Sequence, residues 1–295
     1  MKQFVFLFIL LFTDTSFSQE KINLLKVDSL LLVLNDETRD IYKINTYQSI
    51  CEEYWDRDIK KIQFYNKKIL QLAKKNNFNR GLGLYYLNQT LIDEFLGKER
   101  FALAKKTSNI FLSCKDYKNY LISCHNLGLA YLSKSNFKEA KKIIASSLQL
   151  ASKTKYYNEI ANLHRLMGQV NFYEYNLKES LKNYKIALKY YNFDKKKSRD
   201  KAKLYSYFAQ ISTTFNKFKE ARYYLNLASE NATVMDINIS NALILIREEK
   251  YEKALQILLK NKKTSMSAEN CYRNTSLIAS IYGYQKKDNI YILKY

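Results

Sequence analysis

The sequence predicts an all-α protein built from antiparallel helix pairs. Six anchor positions recur with successive spacings of 42, 36, 40, 41 and 33 residues, and a second set of six lies twelve residues before them. Most of these positions hold small residues, but the first two units carry Ile where Gly or Ala is expected, so they should pack more loosely. Helices that pack closely need small residues where their backbones approach, so each pair of positions with a turn between them indicates two packed helices. No stretch alternates as a half-buried strand would. The anchors are Ile62, Ala104, Ala140, Ser180, Ala221 and Ala254, and the earlier set is Ile50, Ile92, Gly128, Gly168, Ala209 and Ala242.

One predicted pair contains the clearest form of the pattern. Leu127 and Gly128 are followed by Tyr131, a polar turn at residues 133–136, and then Ala140. This arrangement resembles the tetratricopeptide repeat, in which Leu-Gly, Tyr and Ala stand at the matching positions. The resemblance implies a right-handed superhelical solenoid of about six repeats with a partial seventh.

The resemblance covers residues 41–295, and departures from it are visible. The strict family period is about 34 residues, so most units here have longer helices or loops. The chain contains no proline, so its turns must be set by Asn, Lys and Ser. The apolar segment in residues 19–40 is interpreted as a helix that caps the first repeat. The seventh unit begins at Thr275, and its second helix, Ile290–Tyr295, is cut short, which suggests an incomplete product of a longer gene.

The N-terminus has the features of a secretory signal peptide. Lys2 precedes the unbroken apolar run Phe4–Phe12, and small residues follow at Ser16 and Ser18. Nine apolar residues cannot cross a bilayer core that needs about twenty. Residues 1–18 are therefore predicted to be a signal peptide, and the mature chain to be periplasmic or extracellular without a transmembrane segment. The alternative is a buried N-terminal strand or helix.

The formal net charge is +21. Nucleic acid, an anionic membrane and acidic partners could all be attracted by it, and the alternative is a solvated basic surface that reflects an AT-rich genome. The lysines are spread along the chain, and no nucleic-acid-reading motif is recognisable. We therefore expect no nucleic acid partner.

The sequence offers no catalytic motif. Nucleotide-binding glycine loops, metalloprotease helices and serine-nucleophile elbows are all absent, so we expect no enzyme activity and no cofactor. His125 and His164 fall at near-equivalent places in adjacent repeats, but a metal site would need further ligands. The four cysteines fit no zinc pattern. Export would permit a Cys114–Cys124 disulfide, and the alternative is free, buried cysteines.

The resemblance also implies where a ligand would bind. In tetratricopeptide arrays the first helices line the concave surface and usually hold peptides. Paired Lys and Asn residues form the family's carboxylate clamp, and Asn162, Arg165 and Lys203 loosely match it. Position by position, the predicted peptide-binding residues are Tyr86, Gln89, Asp93, His125, Asn162, Arg165, Gln169, Lys203, Ser206 and Gln210.

Two functions remain open from the sequence. The first is an extracytoplasmic scaffold that binds a protein or peptide, one with acidic character being favoured by the charge. The second is the truncated sensory half of a membrane-anchored signal-transduction or transcription regulator. A repeat cut in its second helix would also expose an apolar face, through which the chain could self-associate.

Overall fold

The computed structural model describes residues 25–55, 58–96, 98–193, 199–229, 234–261 and 268–284 of the chain. Helix α1 covers residues 25–36. The later helices are α2 Asp40–Tyr54, α3 Ile59–Lys75, α4 Asn79–Phe95, α5 Phe101–Ser113, α6 Tyr117–Ser133, α7 Phe137–Ala151, α8 Tyr157–Tyr173, α9 Leu177–Phe193, α10 Arg199–Thr214, α11 Phe218–Ser229, α12 Val234–Arg247, α13 Tyr251–Asn261 and α14 Ala268–Tyr284.

The described residues contain helices and turns and no strand, which confirms the predicted all-α class. The even-numbered helices from α2 to α14 are called first helices below, and the odd-numbered helices from α3 to α13 second helices. In the part of the chain that the structure describes, six pairs and the first helix of a seventh follow one another. The predicted start at Thr275 was wrong, because α14 begins at Ala268. None of the described helices is both long and apolar enough to cross a membrane.

The contacts divide the chain into two compact units. The described residues up to Ile92 form the N-terminal unit together with Lys106–Asp116. The C-terminal unit comprises Asp93–Lys105 and the described residues from Tyr117 onwards. In the C-terminal unit each second helix packs on its own first helix and on the next one, so that α7 lies against α6 and α8. First helices also pack on first helices, as α6 does on α8 and α10 on α12. This packing on sequence neighbours is that of a helical repeat.

The predicted anchors explain why the pairs pack. Each anchor is the fourth residue of a second helix, and every one is buried. The six positions twelve residues earlier are buried too. A Cβ placed on Gly128 would lie 2.7 Å from Leu166 Cδ2, and one on Gly168 would lie 2.5 Å from the Tyr184 ring. The glycines therefore leave the space into which large side chains of neighbouring helices fit.

Four first helices, α6, α8, α10 and α12, end in turns that contain neither proline nor glycine and that share one backbone conformation. Residues with positive φ stand one before the second-helix N-cap, such as Ser135 with φ 55° and Tyr175 with φ 58°. The next amide then bonds back to the first helix, as Asn176 N does to Asn171 O at 2.8 Å. Asn136 also caps α7, since its side chain accepts a hydrogen bond from Glu139 N at 3.2 Å. These are the left-handed C-terminal motif and the N-cap of ordinary helices.

Several predictions fall wholly or partly outside the described residues. The proposed signal peptide, the predicted second helix of the seventh unit and the Cys271 side chain are among them. The helix in residues 25–36 lies within the segment interpreted as a cap. Its Val27 is buried, whereas Leu32 and Val33 are exposed, so one face of α1 packs against the N-terminal unit.

Candidate functional site

All ten predicted binding residues lie on first helices. Helix α4 contains Tyr86, Gln89 and Asp93, α6 contains His125, α8 contains Asn162, Arg165 and Gln169, and α10 contains Lys203, Ser206 and Gln210. Tyr86 and Gln89 belong to the N-terminal unit and the other eight to the C-terminal unit. In the N-terminal unit Lys106 Nζ donates to the Tyr86 hydroxyl at 2.8 Å and lies 4.1 Å from its ring centre. Tyr86 is therefore paired with its own second helix, α5.

Arg165 is the centre of a polar cluster in the C-terminal unit. Only 7% of Arg165 is exposed, although its guanidinium carries a full charge. Its Nε donates to the Tyr191 hydroxyl at 3.4 Å, and its Nη2 lies 3.3 Å from His125 Nε2. The same Nη2 lies 3.9 Å from Asp200 Oδ1. Tyr191 in turn donates to Asn162 Oδ1, so α6, α8, α9 and α10 all contribute to what we call the Arg165 cluster.

The cluster fixes the protonation of His125. Burial, with a smaller contribution from the charge of Arg165, lowers the pKa of His125 from its ordinary 6.5 to about 3. The ring is therefore neutral at pH 7, and its Nε2 can accept a hydrogen bond from Arg165 Nη2 while Nδ1 faces Asn126 Oδ1 at 3.4 Å. Burial also raises the pKa of Tyr191, which keeps that phenol protonated. Arg165 and Asp200 are then the charged members of the cluster.

One turn along α8, Gln169 occupies a second polar position. It is 3% exposed, and its Nε2 donates to the Tyr207 hydroxyl at 2.5 Å. Its Oε1 is buried and has no hydrogen-bond partner among the described residues. The Tyr207 ring stacks on the fully buried Tyr184 with 5.1 Å between ring centres. Gln169 is thus held by its amide nitrogen, while its carbonyl oxygen is left as an unused acceptor.

The predicted residues of α10 are placed less uniformly. Lys203 is half-buried, and its charge contributes to lowering the pKa of His125. Ser206 and Gln210 are buried, at 5% and 6% exposure. Ser206 Oγ bonds its own helix at Ala202 O, and Gln210 Nε2 lies 3.5 Å from Ser240 Oγ on α12. Lys203 is therefore the predicted α10 residue closest in role to the Arg165 cluster.

Three residues that contact the predicted binding residues were not predicted from the sequence. Tyr191 lies on second helix α9 and contacts Arg165. Tyr207 lies on α10 and accepts the hydrogen bond from Gln169 of α8. Asp200 lies in the first turn of α10, three residues before Lys203. That spacing, an acid one helical turn from a predicted ligand-binding lysine, was the available indication for Asp200. Tyr191 could not be predicted, because the repeat resemblance assigns only first helices to the binding surface. Tyr207 lies on first helix α10, but at a position that the resemblance does not assign to ligand binding.

Neither histidine nor cysteine forms a metal site in the described part of the chain, where no group of three His, Cys, Asp or Glu side chains could hold an ion. The near-equivalence expected for the two histidines was only approximate. His164 Nδ1 lies 3.1 Å from Asn183 Oδ1, and its ring stacks on Tyr190, so it faces α9 rather than Arg165. Cys51, Cys114 and Cys124 are free.

Comparison with known proteins gives no family. No family model matches the chain, and a search of the curated proteins finds no match. The structural class established for this chain is therefore that of an all-α helical repeat.

Proposed function

We propose that this protein is a tetratricopeptide-like scaffold that binds a peptide carboxylate on the first helices α6, α8 and α10. The proposal extends the helical repeat to that family because the anchor pairs stand in the family's order, Leu-Gly, Tyr and Ala, in the pair formed by α6 and α7. No catalytic step is assigned to the protein.

One observation carries the proposal, namely the incomplete neutralisation of Arg165. A buried charge is costly unless it is paired at close range and hydrogen-bonded. The described carboxylate partner of Arg165, Asp200, stands 3.9 Å away, and 42% of its side chain is exposed. The neutral partners, Tyr191 and His125, lie at 3.4 Å and 3.3 Å, near the long limit of hydrogen bonds. A ligand carboxylate at normal distance would satisfy the guanidinium better than these contacts do.

Neighbouring groups supply the other contacts that a peptide end would need. Lys203, half-buried on α10, adds a second positive charge on the same side as Asp200. The unpartnered Gln169 Oε1 is an acceptor suited to a peptide N–H. The predicted peptide site on the first helices has an internal competitor at Arg165. The ligand carboxylate must compete with Asp200, which acts as a weak internal substitute for it.

The experiment uses random octapeptides attached through their N-termini, with either a free or an amidated C-terminus. We expect the full mature chain to retain free-carboxylate peptides and to lose most of them on amidation. Lys203→Ala should weaken the best peptide. Asp200→Asn should tighten it by up to about fivefold, because partly exposed ion pairs contribute up to about 1 kcal/mol. The matched control, Lys185→Ala on exposed α9, should leave affinity unchanged.

Two results would refute this site. Equal retention of amidated peptides would show that no carboxylate is recognised. An affinity in Arg165→Gln equal to that of the unchanged protein, with the melting temperature preserved, would show that the guanidinium does not contact the ligand.

We also propose export, on the strength of residues 1–18. Expression of the full chain in a bacterial host should yield a mature product that begins close to residue 19. A product of full mass found only in the cytoplasm would contradict it. The sensory-half alternative has no support from the described residues beyond the repeat itself.

A further inference from the structure

The net charge of this protein is carried by one class of helix. The six second helices contain nineteen Lys or Arg residues and four Glu, a net charge of +15. The seven first helices contain nine basic and nine acidic residues, so their net charge is zero. Most of the formal charge of +21 therefore lies on the second helices, whereas the proposed ligand site is on first helices with Tyr191 of α9 behind it.

A biased codon usage does not account for this division. Such a bias raises lysine wherever lysine is tolerated, and it does not remove acids from one helix class only. Four of the six second helices begin with a single glutamate in the first turn, where it suits the helix N-terminus, and contain no other acid. Helices α3 and α5 contain none. The second helices are therefore basic as a class, because they combine many lysines with few acidic residues.

Helix α9 shows the arrangement most clearly. Lys178, Lys182, Lys185 and Lys189 are all exposed and stand at helical spacing, so they form one stripe about 16 Å long. Lys182 Nζ lies 3.4 Å from Glu179 Oε2, and among the described residues the other three lysines form no salt bridge. Neighbouring second helices of the same unit add exposed basic residues, such as Lys142 on α7.

The chemistry of these side chains favours a diffuse anionic surface over a specific phosphate pocket. Eighteen of the nineteen basic residues on second helices are lysine, and Arg222 is the exception. Lysine is a mobile point charge, whereas nucleic-acid recognition relies strongly on the planar fork of arginine. Large aromatic side chains also stand exposed on these helices, with Phe193 of α9 and Tyr223 of α11 each 60% exposed. Lysine with scattered exposed aromatics is the composition of proteins that rest on lipid headgroups.

We propose that the exposed surfaces of α7, α9 and α11 dock on a bilayer rich in anionic phospholipid. Charge complementarity provides the attraction, and the exposed aromatics enter the headgroup layer. The inference concerns the second helices and does not depend on the ligand proposed for Arg165.

The test measures binding of the full mature chain to vesicles by co-sedimentation. The probe vesicles contain phosphatidylcholine with about 30 mol % phosphatidylserine, and reference vesicles contain phosphatidylcholine alone. One variant changes Lys178, Lys182, Lys185 and Lys189 to Gln. The matched control removes the same charge from exposed lysines of that unit outside its second helices, by changing Lys98, Lys118, Lys153 and Lys155 to Gln.

We expect binding to the anionic vesicles alone, and weaker binding as salt rises from about 0.05 M to about 0.5 M. Each lysine near an anionic surface strengthens binding about fivefold, so the α9 variant should bind at least tenfold more weakly. The control should stay within about threefold, since its lysines lie outside the second helices.

Three results would overturn the inference. Equal losses in the α9 variant and the control would show a general charge effect. Absence of binding to anionic vesicles at low salt would exclude docking of α7, α9 and α11 on a bilayer. Tighter binding to a duplex DNA of about twenty base pairs than to the vesicles, measured at the same salt, would assign the lysines to nucleic acid instead. Far-ultraviolet circular dichroism and melting of each variant confirm that the fold is retained.

Discussion

Replacing Gly168 with alanine should destabilise this protein, even though alanine is the better helix former. Gly168 lies within α8, and a Cβ there would meet two carbons of the Tyr184 ring at 2.5 Å. Carbon atoms prefer a separation of about 3.5–4.0 Å, so the ring would have to move by about 1 Å. Tyr184 is fully buried and packs on Tyr207 and Phe208, with ring centres at 5.1 Å and 6.0 Å. The ring therefore has little room to yield.

The magnitude follows from two opposing effects. Overpacking in a filled core costs about 1–3 kcal/mol, and the contact is at the severe end because a ring held on both sides must shift. Alanine recovers about 1 kcal/mol of helix propensity relative to glycine. The expected net loss is about 1–2 kcal/mol of unfolding free energy.

Gly283 provides the control, because it undergoes the same substitution without the clash. It is exposed near the end of α14, and a Cβ there meets nothing within 4 Å. Gly283→Ala should therefore stabilise the chain by up to about 1 kcal/mol. Thermal melts followed by circular dichroism at 222 nm should separate the two variants by several degrees, since about 1 kcal/mol shifts the midpoint of a large domain by about 2–4 °C.

The order of the two midpoints decides the matter. If Gly168→Ala melts at or above the temperature of Gly283→Ala, the close packing of α8 on Tyr184 is wrong. The Tyr184→Leu background sharpens the test, because the smaller side chain should relieve most of the clash and reduce the cost of Gly168→Ala.

Three further predictions concern stability. Ala140→Leu should cost about 1–3 kcal/mol because Ala140 is fully buried between the helices of its pair, while Ala145→Leu on the exposed face of α7 should cost little; equal urea midpoints would contradict the anchor assignment. Tyr175→Gly should stabilise by about 1 kcal/mol, because Tyr175 has a φ of 58° and is 89% exposed, and Tyr175→Phe, which keeps the strain, should have no effect on the melting temperature. The pKa of His125 is about 3 in the fold against an ordinary 6.5, so the unfolded chain binds more protons between these values. The unfolding free energy should therefore fall as pH drops through this range. Because the side chain is only half-buried, the fall should be less than about 1.4 kcal/mol per pH unit. Urea titrations of His125→Gln should show a shallower fall.

The helix pairs could be predicted because their packing constrains single positions. A second helix can approach its partner closely only at a compact side chain, so Ala140 and its equivalents recur and can be aligned without any homologue. The turns were harder to read. Tyr175 and Ser135 adopt a left-handed backbone conformation that glycine adopts most easily, and their side chains give no indication of it in the sequence. The start of α14 at Ala268 was also missed, although Ser267, a residue type favoured at N-caps, directly precedes it in the sequence.

The residues of the proposed binding surface could be predicted only as far as the helices that carry them. The row of first helices follows from the repeat, and Arg165 was assigned to it correctly by position. Its partners depend on tertiary contacts, since Tyr191 is 26 residues away on a second helix and Asp200 is on the next first helix. The lysines are spread evenly along the sequence, and their division between the two helix classes depends on the helix bounds.

The unequal charge of the two helix classes has a consequence for diffusion. A molecule with neutral first helices and basic second helices experiences a torque near any polyanionic surface, within a screening length of about 8 Å at physiological salt. In the C-terminal unit that torque turns α7, α9 and α11 towards the surface and leaves the row of first helices turned away from it. Encounters would therefore be pre-oriented before any short-range contact forms, with the proposed Arg165 site on the side that faces away from the polyanion.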